Sequence, residues 1–165
     1  MTSAALPTES FDKLDPTELE VTRIRALRGP NYWRLAPVIA CDVRLGALES
    51  ITSTQIPRLN ERLIEAIPSL NLHKCTRGHP GGFVERLNEG THIPHILEHL
   101  ALELQSLIGN EVSFGRVVPS GDEGVWWLII EYQEEQVGLR AMKDAVRIIR
   151  HCIADEDFEI DDIID

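Results

Sequence analysis

The stretch HIPHILEHLALELQ (92–105) places His95, Glu98 and His99 in an otherwise apolar segment. In a helix, the two histidines are four residues apart, so their imidazoles project side by side and can share one cation. The order H-x-x-E-H is that of the inverted zincins, in which two histidines bind zinc and the glutamate takes a proton from water. The spacing therefore predicts a site for zinc or another divalent metal, with His95 and His99 as ligands and Glu98 as the catalytic base.

A catalytic zinc ion usually has three protein ligands, so a third must come from elsewhere in the chain. Glu103 lies two turns beyond His95, over about 12 Å of helix rise, which is too far to complete the same site. Glu131 and Glu135 flank the junction between a predicted strand and the last predicted helix, and we expect one of them, preferably Glu135, to be the third ligand. Acids in the first turn of a helix also stabilise that helix without any metal.

A solvated helix face is the alternative interpretation of the same residues. The apolar positions form one broad face of the predicted helix: Ile93, Ile96, Leu97, Leu100, Leu104, Leu107 and Ile108. His95, Glu98 and His99 lie on the opposite side, where polar side chains are ordinary. Leu102 lies among them, which favours a partly covered face. The spacing alone leaves both interpretations open.

Periodicity, glycine and proline define the elements that must position these residues. The predicted order is strands at 20–28 and 36–46, a helix at 57–67, the histidine helix, strands at 112–118 and 125–132, and a helix at 134–153. Thr91 is the predicted N-cap of the histidine helix. Sequential strands joined by short turns indicate an α+β fold, with a mixed or antiparallel sheet and helices packed on one face.

Length and charge restrict the possible class of protein. A chain of 165 residues is enough for a single domain, which we place at 20–153 after a flexible N-terminal arm at 1–19. The net charge of −11 argues against nucleic acid and anionic membranes as partners. Seven of the carboxylates lie in the last eleven residues, DEDFEIDDIID, so 154–165 is predicted to be an acidic linker. Three cysteines without a CxxC indicate idle thiols in a reducing cytoplasm.

Four strings of the sequence resemble the N-terminal domain of cyanophycin synthetases. They are LRGPNYW (27–33), CTRGHPGGFVERLNEGTHIPHILEHLALELQ (75–105), SFGR (113–116) and IEYQEEQVGLRA (130–141). The resemblance covers about residues 20 to 153. Members of this family use ATP to build cyanophycin, a polymer of aspartate whose β-carboxylates carry arginine. The resemblance implies that ATP is used by ATP-grasp and Mur-ligase-like domains, which this sequence does not contain and toward which the acidic linker would lead.

Two functions follow from the resemblance. In members that retain H-x-x-E-H, it implies a metallopeptidase-like site that cuts cyanophycin into primers, and those residues are present as His95, Glu98 and His99. The alternative is a non-catalytic module that binds the polymer and positions it for the ligase domains. Both make cyanophycin the expected partner, and both place the protein in the cytoplasm.

Overall fold

Four antiparallel strands form one sheet in the order β1-β2-β4-β3. The structure is a computed structural model that describes residues 13–164. The strands are β1 (Glu20–Leu27), β2 (Val38–Arg44), β3 (Gly115–Pro119) and β4 (Val125–Glu131). The helices are α1 (Leu59–Ala66), α2 (Gly82–Glu89), α3 (Ile93–Ser106), α4 (Glu135–Ile153) and α5 (Ile160–Ile163). This architecture confirms the predicted α+β class.

Alternation along the central strands decides which face of the sheet forms the main core. In β2, Ile39, Cys41 and Val43 point to the face that α3 and α4 cover, and β4 contributes Leu128 and Ile130 to the same core. The alternate positions form a smaller apolar cluster on the other face, where Trp33 and Phe114 pack against Val38, Ala40 and Ile129. In the described range 13–164, no helix combines the length and apolar character that a membrane crossing requires.

Helix α3 is buried on more than one side, which differs from the amphipathic interpretation. His99 and Glu103 are buried together with the predicted apolar face, and so is Leu102. The extension of that face to Leu107 and Ile108 is wrong, because α3 ends at Ser106 and both side chains are exposed. A helix enclosed in this way places its polar groups among protein atoms, where they need specific partners.

The start of α3 also differs from the prediction. His92 occupies the N-cap position, and its backbone forms an isolated bridge with Thr52. The Thr91 hydroxyl instead contacts a side chain of the helix, His95. The first turn of α3 is therefore held by a neighbouring segment of chain and not by a side-chain cap.

The segments expected to be a mobile arm and a linker are structured where the structure describes them. Residues 1–12 of the predicted arm lie outside the described residues. Its remainder includes a short 3₁₀ helix, Pro16–Glu18, and Leu19, which is fully buried. In the acidic segment, α5 buries Ile163, and the Asp155 carboxylate accepts a hydrogen bond from Arg62 at 2.7 Å. The acidic segment packs against the domain because it carries apolar side chains between its carboxylates.

Candidate metal centre

Three potential ligand atoms converge beside the first half of α3. His95 and His99 approach each other through Nε2, with 3.1 Å between the two nitrogens. Sγ of Cys75 lies 3.2 Å from Nε2 of His95. In the part of the chain that the structure describes, this is the one group of three such residues whose ligand atoms all lie within 4.8 Å of one another.

The second nitrogen of each imidazole has a partner of its own. Nδ1 of His95 lies 2.8 Å from the hydroxyl oxygen of Thr91. Nδ1 of His99 lies 2.9 Å from Nδ1 of His73, whose Nε2 bonds to the carboxylate of Glu103. Metal-binding histidines usually hold their second nitrogen in this manner, which fixes the ring and directs the other nitrogen at the metal. The contacts therefore leave the two Nε2 atoms as the ligand atoms.

Phe83 of α2 holds both rings in an apolar setting. Its fully buried ring stacks on the His99 imidazole, with 4.0 Å between the centroids, and meets His95 edge-on at 5.7 Å. Burial is the main cause that lowers the pKa of His95 to about 4 and that of His99 to about 2, and the Arg86 guanidinium acts in the same direction on both. Both imidazoles are thus neutral at pH 7, as metal binding requires.

Glu98 lies on the same side of α3, where it is packed against the start of β3. A Cβ atom at Gly115 would lie 2.5 Å from Cγ of Glu98, so only glycine leaves room for this side chain. Burial raises the pKa of the Glu98 carboxyl to about 7. A carboxyl group with this pKa can both accept and release a proton near neutral pH.

The structure does not bring Glu131 or Glu135 to the centre. The Glu131 carboxylate accepts a hydrogen bond from the Phe114 N–H at 3.2 Å, and its backbone carbonyl accepts one from Gln105. Gln105 lies ten residues after His95, about 15 Å further along α3. Glu135 is exposed at the start of α4. Both acids therefore lie toward the C-terminal end of α3, too far from the histidines in its first half to share an ion with them.

Cys75, and neither of those acids, lies beside the two histidines. It lies in a 3₁₀ turn before α2 and adopts a left-handed backbone conformation (φ 54°), which few residues other than glycine adopt. Sequence reasoning missed it because a cysteine without a nearby second cysteine is most often idle. The available signal is that Cys75 opens the longest of the strings that resemble the synthetase N-terminal domain.

The donor set suits zinc or a related soft divalent ion. Two imidazole nitrogens and one sulfur are common zinc ligands, with the sulfur bound as a thiolate. Tetrahedral zinc with ordinary bond lengths separates neighbouring ligand atoms by about 3.3–3.6 Å. The 3.1 Å between the two Nε2 atoms and the 3.2 Å between Sγ of Cys75 and Nε2 of His95 need only a small expansion to reach that range. The three residues therefore fit a metal that keeps a fourth position for water or substrate.

A cavity of about 770 Å³ opens onto this centre. Cys75, His95, Glu98 and His99 all line it, and so does the exposed His92. Three basic residues and one acid line the cavity: Lys74, Arg86, Arg116 and Glu98. A protein with a net charge of −11 thus surrounds this cavity mainly with positive charge.

Comparison with known proteins identifies the family. Residues 40–154 match the family described as "Cyanophycin synthase-like N-terminal domain". The chain is 42% identical over 137 residues to the cyanophycin synthetase of Trichormus variabilis, which covers 82% of this chain and 15% of that protein. It is 39% identical over 147 residues to the cyanophycin synthetase of Synechocystis sp. This match covers 88% of this chain and 17% of that protein. The chain spans about a sixth of the length of these relatives. It belongs to the family of cyanophycin synthase-like N-terminal domains.

Proposed function

We propose that this domain binds cyanophycin, holds one divalent metal ion on Cys75, His95 and His99, and cuts the polymer into shorter chains that serve as primers. The observation that carries the proposal is the convergence of three ligand atoms in a cavity that Glu98 also lines. Polymer synthesis itself would belong to ATP-grasp and Mur-ligase-like domains elsewhere in a longer protein.

The side chains of the site have distinct tasks in hydrolysis of an amide bond. A bound divalent metal would supply Lewis-acid activation of water and of the amide carbonyl. The Glu98 carboxylate removes a proton from the attacking water while the water oxygen bonds to the carbonyl carbon. When the C–N bond breaks, Glu98 returns that proton to the leaving nitrogen. A pKa of about 7 suits both transfers.

The charge of the cavity indicates which part of the polymer faces it. An arginine joined to an aspartate β-carboxylate through its amino group keeps a free carboxylate and a guanidinium group. The basic residues of the cavity, including Lys74 and Arg86, attract the carboxylates and repel the guanidinium groups. The guanidinium groups then point outward, toward the acidic remainder of the surface.

Glu98→Gln tests the catalytic assignment. The amide keeps the size of the side chain beside Gly115 but cannot act as a base. We expect metal content to stay at one ion per chain and the rate of chain cutting to fall by roughly 10²–10⁴-fold. The measurement is the length distribution of cyanophycin chains after incubation with the zinc-loaded domain.

Glu85→Gln is the matched control, because Glu85 is exposed, pairs with His79 and does not line the cavity. This variant should cut at the wild-type rate. If the zinc-loaded wild type leaves the polymer intact but binds it, the non-catalytic binding module is the correct function. Equal cutting by wild type and Glu98→Gln would refute the role of Glu98.

A further inference from the structure

His73 connects the candidate metal centre to a buried carboxylate. Its Nδ1 lies 2.9 Å from Nδ1 of His99, and its Nε2 bonds to the Glu103 carboxylate. Glu103 is only 8% exposed, and α3 carries it one turn beyond His99. Neither His73 nor Glu103 belongs to the group of three ligand residues. The hydrolytic steps described above do not use this pair.

Donor and acceptor rules fix the hydrogen atoms along this chain of contacts. A carboxylate only accepts hydrogen bonds, so Nε2 of His73 carries the proton that bonds to Glu103. The neutral imidazole of His73 then has an unprotonated Nδ1, which accepts the hydrogen bond from Nδ1–H of His99. As a result His99 has its lone pair on Nε2, the atom that faces His95.

The contact of His95 with Thr91 supports the same tautomer on the second ring. Nδ1–H of His95 can donate to the hydroxyl oxygen at 2.8 Å, which leaves a lone pair on its Nε2 as well. Two imidazole lone pairs then face each other across 3.1 Å. Such an arrangement is unfavourable by itself and becomes favourable when a cation binds to both nitrogens.

We propose that His73 and Glu103 are positioning residues, which fix the tautomer and the orientation of His99 and thereby raise the affinity of the centre for a divalent metal. This inference rests on the function proposed above, since it assumes that His99 is a ligand. Partners of this kind typically change metal affinity by about 10–100-fold.

The test measures zinc affinity directly, by competition with a chromogenic chelator. His73→Leu removes the acceptor for His99, and we expect a zinc Kd about 10–100-fold higher than that of the wild type. His73→Asn places an amide oxygen near the former Nδ1 and should recover most of the affinity. Glu103→Gln, which keeps size but removes the charge, should lie between wild type and His73→Leu.

The His79–Glu85 pair provides the matched control. It has the same kind of contact, at 2.8 Å, on the exposed surface, and neither residue lines the cavity. His79→Leu should leave the zinc Kd unchanged. Circular dichroism of each variant verifies the fold. The absorption spectrum of the cobalt-loaded protein verifies the ligand set, and this spectrum should be the same in wild type and His73→Asn.

Each result decides something. A wild-type Kd in folded His73→Leu overturns the positioning role and leaves the proposed metal centre intact. If His73→Leu shows a changed cobalt spectrum, or binds less than one ion at saturation, then His73 is itself a ligand. That result would also overturn the positioning role. If His73→Leu does not fold, wild-type affinity in Glu103→Gln combined with weak binding by His73→Asn overturns the inference. Absence of metal binding in the wild type overturns both proposals.

Discussion

At the scale of single residues, burial acts in opposite directions on the two kinds of titratable group in H-x-x-E-H. It lowers the pKa of His95 and His99 and raises that of Glu98. The neutral imidazoles cost stability in acid, since the unfolded chain gains protons on them below about pH 6.5 and the folded chain does not. Glu98 has the reverse effect, because the folded chain keeps a proton that the unfolded chain releases. The two contributions overlap and partly mask each other in the wild type.

Glu98→Gln separates these contributions in the metal-free protein. The pKa of Glu98 is about 7 in the folded protein and near 4.5 when unfolded, so the stability that this group contributes falls as the pH rises from 4.5 to 7. Gln does not titrate, and the histidine contributions are the same in both proteins. The variant should therefore gain stability relative to the wild type over this range, by at most about 3 kcal/mol, and the difference should level off above pH 7.

Urea denaturation at several pH values in the presence of a chelator measures this difference. A difference in the free energy of unfolding that stays constant from pH 4 to pH 8 would contradict burial of the Glu98 carboxyl.

At the scale of secondary-structure elements, the site depends on a close approach of β3 to α3. Gly115 begins β3, and the Glu98 side chain occupies the space where a Cβ atom would lie. The backbone of Gly115 does not have a left-handed conformation, so the need for glycine here comes from packing alone. The approach of these two elements thus restricts the position of the Glu98 side chain through van der Waals contact.

Gly115→Ala should displace Glu98 and leave the metal ligands in place. We expect a loss of about 1–3 kcal/mol in the free energy of unfolding from overpacking, one bound metal ion, and much slower cutting of the polymer. Glu98→Ala provides the control background, because it removes the atoms that a Cβ atom at 115 would meet. Addition of Gly115→Ala to that background should cost far less stability. Equal costs in the two backgrounds, measured by thermal unfolding, would mean that the two side chains do not meet.

Local helix geometry and long-range packing differ in how far the sequence predicts the residues that they bring to the site. The pairing of His95 with His99 was predictable, since residues four apart share a helix face whatever the tertiary structure. Cys75 was not, because its position depends on a left-handed turn and on the packing of Phe83 of α2 against both rings. The elements themselves were mostly predictable from periodicity. Long-range packing determines where the end of β4 and the start of α4 lie. Glu131 and Glu135 are therefore away from the site, which the sequence did not indicate.

At the scale of the whole molecule, charge is divided between a basic cavity and an acidic exterior. The net charge of −11 includes the carboxylates of the C-terminal segment, some of which are paired with arginine: Asp155 with Arg62, and Asp157 with Arg58 and Arg62. Arg86 lies close enough to the centre to lower the pKa of both histidines. A polymer with both carboxylates and guanidinium groups is complementary to this division.

Polymer binding should therefore depend on salt, and Arg86 should account for part of the dependence. Ion pairs that are accessible to solvent are screened over about 8–10 Å at physiological ionic strength, so affinity for cyanophycin should fall as salt is added. Removal of one charge from the cavity in Arg86→Gln should weaken binding at low salt and reduce the slope of affinity against salt concentration.

Arg44→Gln is the matched control, because Arg44 is an exposed residue of β2 that does not line the cavity. Affinities are measured in the Glu98→Gln background, so that cutting does not alter the polymer during the titration. An affinity that is flat with salt would exclude ion pairing as the basis of binding, and equal slopes for Arg86→Gln and Arg44→Gln would place the contact on the acidic exterior.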